Sequence, residues 1–190
     1  MNKRALVVVD LQRDFCAGGA LAVPDGDAVV APVNELIAIF RAAGDPIFLT
    51  RDWHPSDHSS FADQGGLWPP HCVAGTTGAE FHPDLVAQDD LTVVSKATEQ
   101  DGDAYSGFQG TDLRAQLIAA GISEVLVCGL ATDYCVKATA LDAVNAGLAT
   151  TVLTDAIRGV EVQPGDTQDA LDELLAAGVK LADSSSLAWS

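Results

Sequence analysis

Short, continuous apolar runs alternate along the chain with longer segments in which apolar residues recur at helical spacing. The continuous runs predict strands, and the periodic segments predict helices. The predicted strands are residues 4–9, 46–50, 91–95, 125–128, 150–153 and 179–182. The predicted helices are residues 27–43, 111–120 and 164–177, with a further helix after the fourth strand that includes Val136, Ala140 and Val144.

The alternation of strands and helices predicts an α/β fold. Several of the strands are apolar without interruption, which is typical of strands buried on both faces of a parallel sheet. We therefore expect a three-layer, doubly wound, Rossmann-like fold, with a mostly parallel six-stranded sheet and helices on both faces. Residues 1–190 are expected to form a single domain, because this length suits one hydrophobic core.

Polar and reactive side chains follow the first four predicted strands. Asp10 ends the first strand, Asp52 lies just after the second, Lys96 follows the third, and the fourth leads to Cys135. The carboxyl ends of parallel strands meet at one edge of the sheet, where α/β proteins bind their ligands. The pattern therefore predicts a functional site that brings these four side chains together.

Cys135 is expected in the first turn of the helix after the fourth strand, with Thr132 or Asp133 as the N-cap. The free N–H groups and the dipole of a helix N-terminus lower the pKa of a cysteine and can bind an oxyanion. This position favours a nucleophile. The alternative is a small apolar residue buried under the helix, as many free cysteines are.

Three of the four histidines lie close to an aspartate in one predicted loop region. Asp52, His54 and His58 fall within seven residues, and His71 follows shortly afterwards. A carboxylate with two or three imidazoles suits Zn²⁺, Fe²⁺ or Mn²⁺ with open coordination positions. The alternative is a set of polar side chains on a surface loop. His82 has no such neighbours and is interpreted as structural.

Charge and composition restrict the partners. The formal net charge is −17, from 27 acidic and 10 basic residues, and would repel nucleic acid and anionic membranes. The apolar run near residue 5 is too short for a signal peptide, and no segment reaches membrane length. Four cysteines without C-x-x-C spacing favour a cytoplasmic protein with reduced thiols. The sequence leaves both a monomer and a homo-oligomer open.

Five motifs carry a resemblance to a known family. They are D-L-Q-R-D-F at 10–15, R-D-W-H-P-S-D-H at 51–58, W-P-P-H-C-V at 68–73, D-A-Y-S-G-F at 103–108 and G-L-A-T-D-Y-C-V at 129–136. Together they resemble the nicotinamidase/pyrazinamidase family of isochorismatase-like cysteine hydrolases. The resemblance extends over about residues 4–153, and no motif position is substituted.

The resemblance implies a catalytic triad. Cys135 would be the nucleophile, Asp10 the proton acceptor and Lys96 the cationic partner of Asp10. It also implies a cis peptide between Leu130 and Ala131, which would aim the Ala131 N–H, together with that of Cys135, into an oxyanion hole.

The resemblance also implies a metal site and a substrate pocket. One divalent metal ion, Zn²⁺ first and Fe²⁺ or Mn²⁺ as alternatives, would be held by Asp52, His54 and His71, with His58 as a further ligand or supporting group. The ring of the substrate would lie among side chains that are aromatic or apolar. These wall residues are Phe15, Leu21, Trp68 and Tyr105.

The activity implied is hydrolysis of nicotinamide, and of pyrazinamide, to the acid and ammonia through a cysteine thioester, a reaction of NAD salvage. The nearest alternative is a related cysteine amidohydrolase that cleaves N-carbamoyl or ureido compounds with the same triad and without the metal. A non-catalytic metal-binding or partner-binding protein of the same fold is disfavoured by the intact Asp10, Lys96 and Cys135.

Overall fold

The computed structural model describes residues 3–86 and 91–187. Six strands form one sheet in the order β3-β2-β1-β4-β5-β6, and every pairing among them is parallel. The strands are β1 (Arg4–Val9), β2 (Ile47–Asp52), β3 (Thr92–Lys96), β4 (Glu124–Leu130), β5 (Ala149–Arg158) and β6 (Lys180–Ala182). The predicted α/β fold is confirmed.

Four α-helices cover the two faces of the sheet. They are α1 (Val30–Ala43), α2 (Leu113–Ala119), α3 (Lys137–Asn145) and α4 (Asp166–Ala176). In the described part of the chain, no helix has both the length and the apolar character that a membrane crossing needs. Short 3-10 turns connect several of the remaining segments.

Successive residues of β1 point to two separate cores. Leu6 and Val8 pack on the face covered by α1, whereas Ala5, Val7 and Val9 pack on the face covered by α2, α3 and α4. Both faces of the strand are therefore buried, which explains its unbroken apolar sequence. Each fully buried Val or Leu side chain contributes about 1.5–3 kcal/mol relative to exposure.

Strand β5 is longer than its sequence pattern predicts. It continues to Arg158, although the apolar run ends at Leu153. The polar residues that follow find partners in neighbouring elements: Thr154 Oγ1 donates to Ala182 O at 3.3 Å, and the Asp155 carboxylate accepts the Ser184 N–H at 2.9 Å. These contacts allow the strand to extend past its apolar part.

The predicted start of α1 at residue 27 is too early, since the helix begins at Val30. Asp27 lies in a 3-10 turn, Gly26–Val29, and the N-cap position of α1 is Val29. The Asp27 carboxylate instead accepts the N–H of Ala17 at 2.8 Å, from the loop that follows β1. The free N–H group nearest to the Asp27 carboxylate thus belongs to a residue ten positions earlier in the chain and not to α1.

The chain order places a crevice between β1 and β4. From β1 the chain continues to β2 and β3 on one side of the sheet, and from β4 it continues to β5 and β6 on the other side. The connections that leave β1 and β4 therefore diverge above the ends of these two strands. Gly129, near the end of β4, has φ of 110°. A Cβ atom at this position would lie 2.1 Å from Val9 O, so only glycine allows the two strands to approach here.

We predict that Gly129→Ala destabilises the protein by about 3–4 kcal/mol, because it combines backbone strain with a steric clash. Urea unfolding followed by circular dichroism measures the effect. Gly147→Ala is the matched control, since Gly147 also has positive φ, 85°, but has open space around the added methyl group. The control should lose about 1–2 kcal/mol. Equal losses in the two variants would contradict the steric argument.

Candidate active site

Lys96 lies at the centre of the predicted site. Its Nζ is 2.9 Å from Asp10 Oδ2 and also contacts Asp52 Oδ1. It donates to Ala104 O at 3.1 Å and lies 3.5 Å from Cys135 Sγ. The side chains of Lys96 and Asp10 have no exposed surface. The four side chains predicted from the strand ends therefore meet at one point.

Cys135 and Asp10 are neighbours in the site. Ligand atoms of Asp10, Asp52 and Cys135 all lie within 4.8 Å of one another. The peptide bond between Leu130 and Ala131 is cis, as the resemblance implies. Ala131 and Cys135 line the same cavity.

The pKa of the Cys135 thiol differs from the expectation based on its helix position. Burial raises this pKa well above its ordinary value; Lys96 acts against the rise, and the carboxylates of Asp10 and Asp52 add to it. A helix terminus alone would have lowered the pKa, but it acts here on a fully buried group beside two carboxylates. Cys135 is therefore a thiol that needs a base.

Asp10 suits the role of that base. Burial raises the pKa of its carboxyl group, and Lys96 and the hydrogen bond from Thr50 oppose the rise. Thr50 Oγ1 donates to Asp10 Oδ1 at 2.7 Å, which fixes the orientation of the carboxylate. For Lys96, burial lowers the pKa, but Asp10 and Asp52 outweigh it and raise the pKa well above its ordinary value. Lys96 therefore stays charged.

The helix that carries Cys135 does not begin at the predicted N-cap residue. A π-helical turn, Thr132–Val136, precedes α3, and Ala131 occupies the N-cap position. The predicted capping by Thr132 or Asp133 is therefore wrong. The Asp133 carboxylate instead accepts N–H groups of the loop after β5. Cys135 still lies in the first helical turn, as predicted.

The predicted metal ligands Asp52, His54 and His71 lie together, and these three side chains form the metal group. They are buried, and one ligand atom of each lies within 4.8 Å of the others. His54 Nδ1 is 3.0 Å from His71 O, and His71 Nδ1 is 2.8 Å from Pro69 O. Because a carbonyl can only accept, each Nδ1 carries the proton and each Nε2 has a free lone pair. Burial, together with His71, lowers the pKa of His54 to about 4, so this imidazole is neutral.

His58 lies beside this group. Its ring centroid is 4.4 Å from that of His54, its Nδ1 is 2.7 Å from Ser60 Oγ, and its Nε2 is buried without a partner. The two carboxylates of Asp10 and Asp52 also face a single ammonium group. A divalent cation would compensate the excess negative charge and use the free imidazole nitrogens. The residues therefore fit a divalent metal ion.

The cavity beside the metal group has mainly aromatic and apolar walls. All four predicted wall residues, Phe15, Leu21, Trp68 and Tyr105, line it. Trp68 Nε1 donates to Tyr105 Oη at 3.1 Å, which links two walls. Asp10 and Lys96 do not line the cavity and lie behind Cys135.

Five further lining residues are absent from the prediction: Ser60, Asp103, Ala104, Tyr134 and Val160. The ring of Tyr134 packs edge-on against that of Trp68, with 5.2 Å between the centroids. Its position next to Cys135 is a signal that sequence reasoning could have used. Val160 gives no such signal, because it lies beyond the predicted end of its strand.

Gln12 was also missed, although it holds the metal group in place. Its buried side chain accepts the N–H of Asp52 at 2.8 Å and donates to Asp52 O at 2.8 Å and to Ala79 O at 2.9 Å. The position of Gln12 in the D-L-Q-R-D-F motif was the available signal.

Three residues next to the site have the left-handed backbone conformation that favours glycine. They are Asp10, Cys72 and Ala97, with φ of 45°, 46° and 52°. Each such conformation costs on the order of 1–3 kcal/mol and persists only where the surroundings hold it. Asp14 provides one restraint, because its Oδ2 accepts the N–H of Cys72 at 2.7 Å and so fixes the residue after His71.

A second group of possible ligands, Cys16, Asp27 and His82, lies outside this cavity. His82 Nδ1 accepts the N–H of Asp84 at 3.1 Å, so Nε2 carries the ring proton and donates to Asp27 Oδ1 at 3.1 Å. Both ring nitrogens are engaged. His82 therefore ties two loops together, in agreement with its interpretation as structural.

Comparison with known proteins agrees with this geometry. The isochorismatase domain family matches residues 4–186. The nicotinamidase of Escherichia coli is 44% identical, and the match covers 95% of each chain. The crystal structure of the pyrazinamidase of Pyrococcus horikoshii in complex with zinc is 50% identical, with a TM-score of 0.90 over 95% of this chain and 99% of that one. PnC1 from L. infantum in complex with nicotinate is 36% identical, with a TM-score of 0.91 over 98% and 96%.

The chain therefore belongs to the isochorismatase family of hydrolases. Two of the three relatives just described are a nicotinamidase and a pyrazinamidase, which agrees with the resemblance carried by the sequence motifs.

We predict that the purified protein binds about one divalent metal ion per chain and that His71→Ala loses it, because the variant removes one of three protein ligands. Elemental analysis after gel filtration measures the metal content. His82→Ala is the control, since both nitrogens of His82 are engaged outside the cavity. Loss of metal in the control, or its retention in His71→Ala, would exclude the assigned group.

Proposed function

We propose that the protein is a nicotinamidase, which hydrolyses the carboxamide of nicotinamide, and of pyrazinamide, to the acid and ammonia. One observation carries the proposal: Cys135 and the group of Asp52, His54 and His71 line the same apolar cavity. The cavity thus offers a nucleophile for an amide carbon and a separate position for a ring nitrogen. The relatives described above support this choice of substrate.

The proposed metal ion is Zn²⁺, which suits a site of one carboxylate and two imidazoles with open positions. When bound by Asp52, His54 and His71, it would supply a Lewis-acid position for the pyridine nitrogen and so orient the ring. The aromatic walls, Trp68 and Tyr105 among them, would hold the faces of that ring.

The first chemical step transfers the Cys135 proton to Asp10 as sulfur attacks the carboxamide carbon. Asp10 is poised for this role, because burial raises the pKa of its carboxyl group and one of its oxygens lies within 4.8 Å of the Cys135 sulfur. The oxygen of the tetrahedral intermediate becomes negative and is stabilised by the backbone N–H groups of Ala131 and Cys135. Lys96 remains charged throughout and balances the carboxylate.

The second step expels ammonia. Asp10 returns the proton to the leaving nitrogen, and the C–N bond breaks to leave a thioester on Cys135. A water molecule then attacks the thioester and gives its proton to Asp10. The collapse of this second intermediate releases the acid, and Cys135 recovers its proton from Asp10.

The alternative, hydrolysis of N-carbamoyl or ureido compounds, would use the same triad but no metal. It leaves the group of Asp52, His54 and His71 in the cavity wall without a role. A net charge of −17 disfavours nucleic acid and anionic membranes as partners. The proposal includes a single working domain and, on the basis of four free cysteines, a reducing compartment such as the cytoplasm.

Ammonia release from nicotinamide tests the proposal directly. We expect release by the metal-loaded protein, loss after chelation and recovery when Zn²⁺ is added, because the ring is oriented only when the metal site is filled. N-carbamoyl compounds serve as the comparison substrates. Release from these compounds, but not from nicotinamide, would select the alternative activity.

We predict that Cys135→Ala lowers the turnover of nicotinamide by a factor on the order of 10³ or more, since it removes the nucleophile. Thermal melting should show that the fold is intact. Cys16→Ala is the matched control, because Cys16 is another buried free thiol and does not line the cavity. Substantial turnover by Cys135→Ala would exclude the thioester route.

A further inference from the structure

The loop that follows β5 is tied to the helical turn that carries the nucleophile. Asp133, which is 7% exposed, lies in the turn Thr132–Val136 together with Cys135. Its Oδ1 accepts the N–H of Val160 and its Oδ2 accepts the N–H of Glu161, both at 2.9 Å. One buried carboxylate therefore binds two successive N–H groups of a loop that is distant in sequence.

The loop is shaped to make this contact. Glu161 has the left-handed conformation, with φ of 56°, which lets successive N–H groups converge on one anionic acceptor. A Cβ atom at Gly159 would lie 1.9 Å from Thr167 Oγ1, so the loop passes too close to α4 for any larger residue. The Glu161 carboxylate accepts the N–H groups of Gly165 and Thr167, both at 2.9 Å, which fixes the far end of the loop.

The consequence for the site is carried by Val160. This residue lines the cavity together with Cys135 and packs against the apolar core beneath α1. Asp133 is the direct polar link between the turn that holds the nucleophile and the loop that holds this wall. The two hydrogen bonds of Asp133 therefore contribute to the separation between the sulfur atom and the wall.

We propose that Asp133 is a positioning residue that holds Val160 as a specificity-determining wall of the substrate cavity. The inference rests on the proposed function, because it concerns the ring that the cavity would bind. Asp133 donates no proton and touches no reacting atom in this role. It acts by keeping Val160 in place in the wall of the cavity that contains Cys135.

The conservative variant Asp133→Asn gives a sharp test. Each carboxylate oxygen accepts one N–H group, so an asparagine must point its amide nitrogen at one of the two donors. One bond is lost and two donors face each other, while the size of the side chain is unchanged. We expect KM for nicotinamide to rise about tenfold, with kcat changed by less than about twofold, because ground-state contacts with the ring weaken.

A double-mutant cycle distinguishes this role from a direct effect on Cys135. Val160→Ala should raise KM similarly, and Asp133→Asn in the Val160→Ala background should add less than about twofold, since the wall that Asp133 holds is already gone. Asp155→Asn is the matched control: Asp155 also holds a loop, through the N–H and hydroxyl of Ser184, but does not line the cavity. The control should leave KM and kcat unchanged.

Independent effects of the two substitutions on KM, or a fall in kcat at constant KM in Asp133→Asn, would overturn the proposal. Amide hydrogen exchange of the peptide that contains Val160 gives a readout that does not depend on activity. Exchange should be faster in Asp133→Asn and unchanged in Asp155→Asn. If the wild-type protein releases no ammonia from nicotinamide, the proposed function fails, and unchanged exchange in Asp133→Asn would separately reject the restraint.

Discussion

A buried lysine between two buried carboxylates is the interaction on which the site depends. Lys96 has no exposed side-chain surface, and its Nζ contacts both Asp10 and Asp52. The contact follows from the sheet: β1, β2 and β3 are neighbours, and Asp52 and Lys96 are paired in register at the ends of their strands. Removing one partner of such a buried pair leaves an uncompensated charge and costs about 3–5 kcal/mol.

The two carboxylates connect Lys96 to two different parts of the site, the nucleophile and the possible metal ligands. Asp10 faces the Cys135 thiol, whereas Asp52 belongs to the group that includes His54 and His71. One ammonium group cannot balance both carboxylates. Burial raises the pKa of the Cys135 thiol and the carboxylates add to the rise, while the excess negative charge makes a divalent cation favourable beside Asp52. The nucleophile and the metal group are thus coupled through the same charge balance.

Buried or half-buried polar side chains hold the loops that complete the site. Gln12 binds the backbone of Asp52, Asp14 binds the N–H of Cys72, and Asp133 binds the loop that carries Val160. Charged hydrogen bonds to backbone groups are strong and directional, which suits loops that have few apolar residues of their own. The loops can therefore be irregular and still place side chains accurately.

The sequence by itself determined the parallel α/β sheet and the convergence of Asp10, Asp52, Lys96 and Cys135, because both follow from local apolar runs and from the residues at their ends. Only the tertiary structure decided the pKa of Cys135, the partners of Asp133 and the place of Val160 in the cavity. These depend on contacts between segments far apart in the chain. At Cys135, burial beside two carboxylates outweighs the effect of the helix terminus on the pKa of the thiol. The Asp133 carboxylate could have capped its own helix but accepts N–H groups of a distant loop instead.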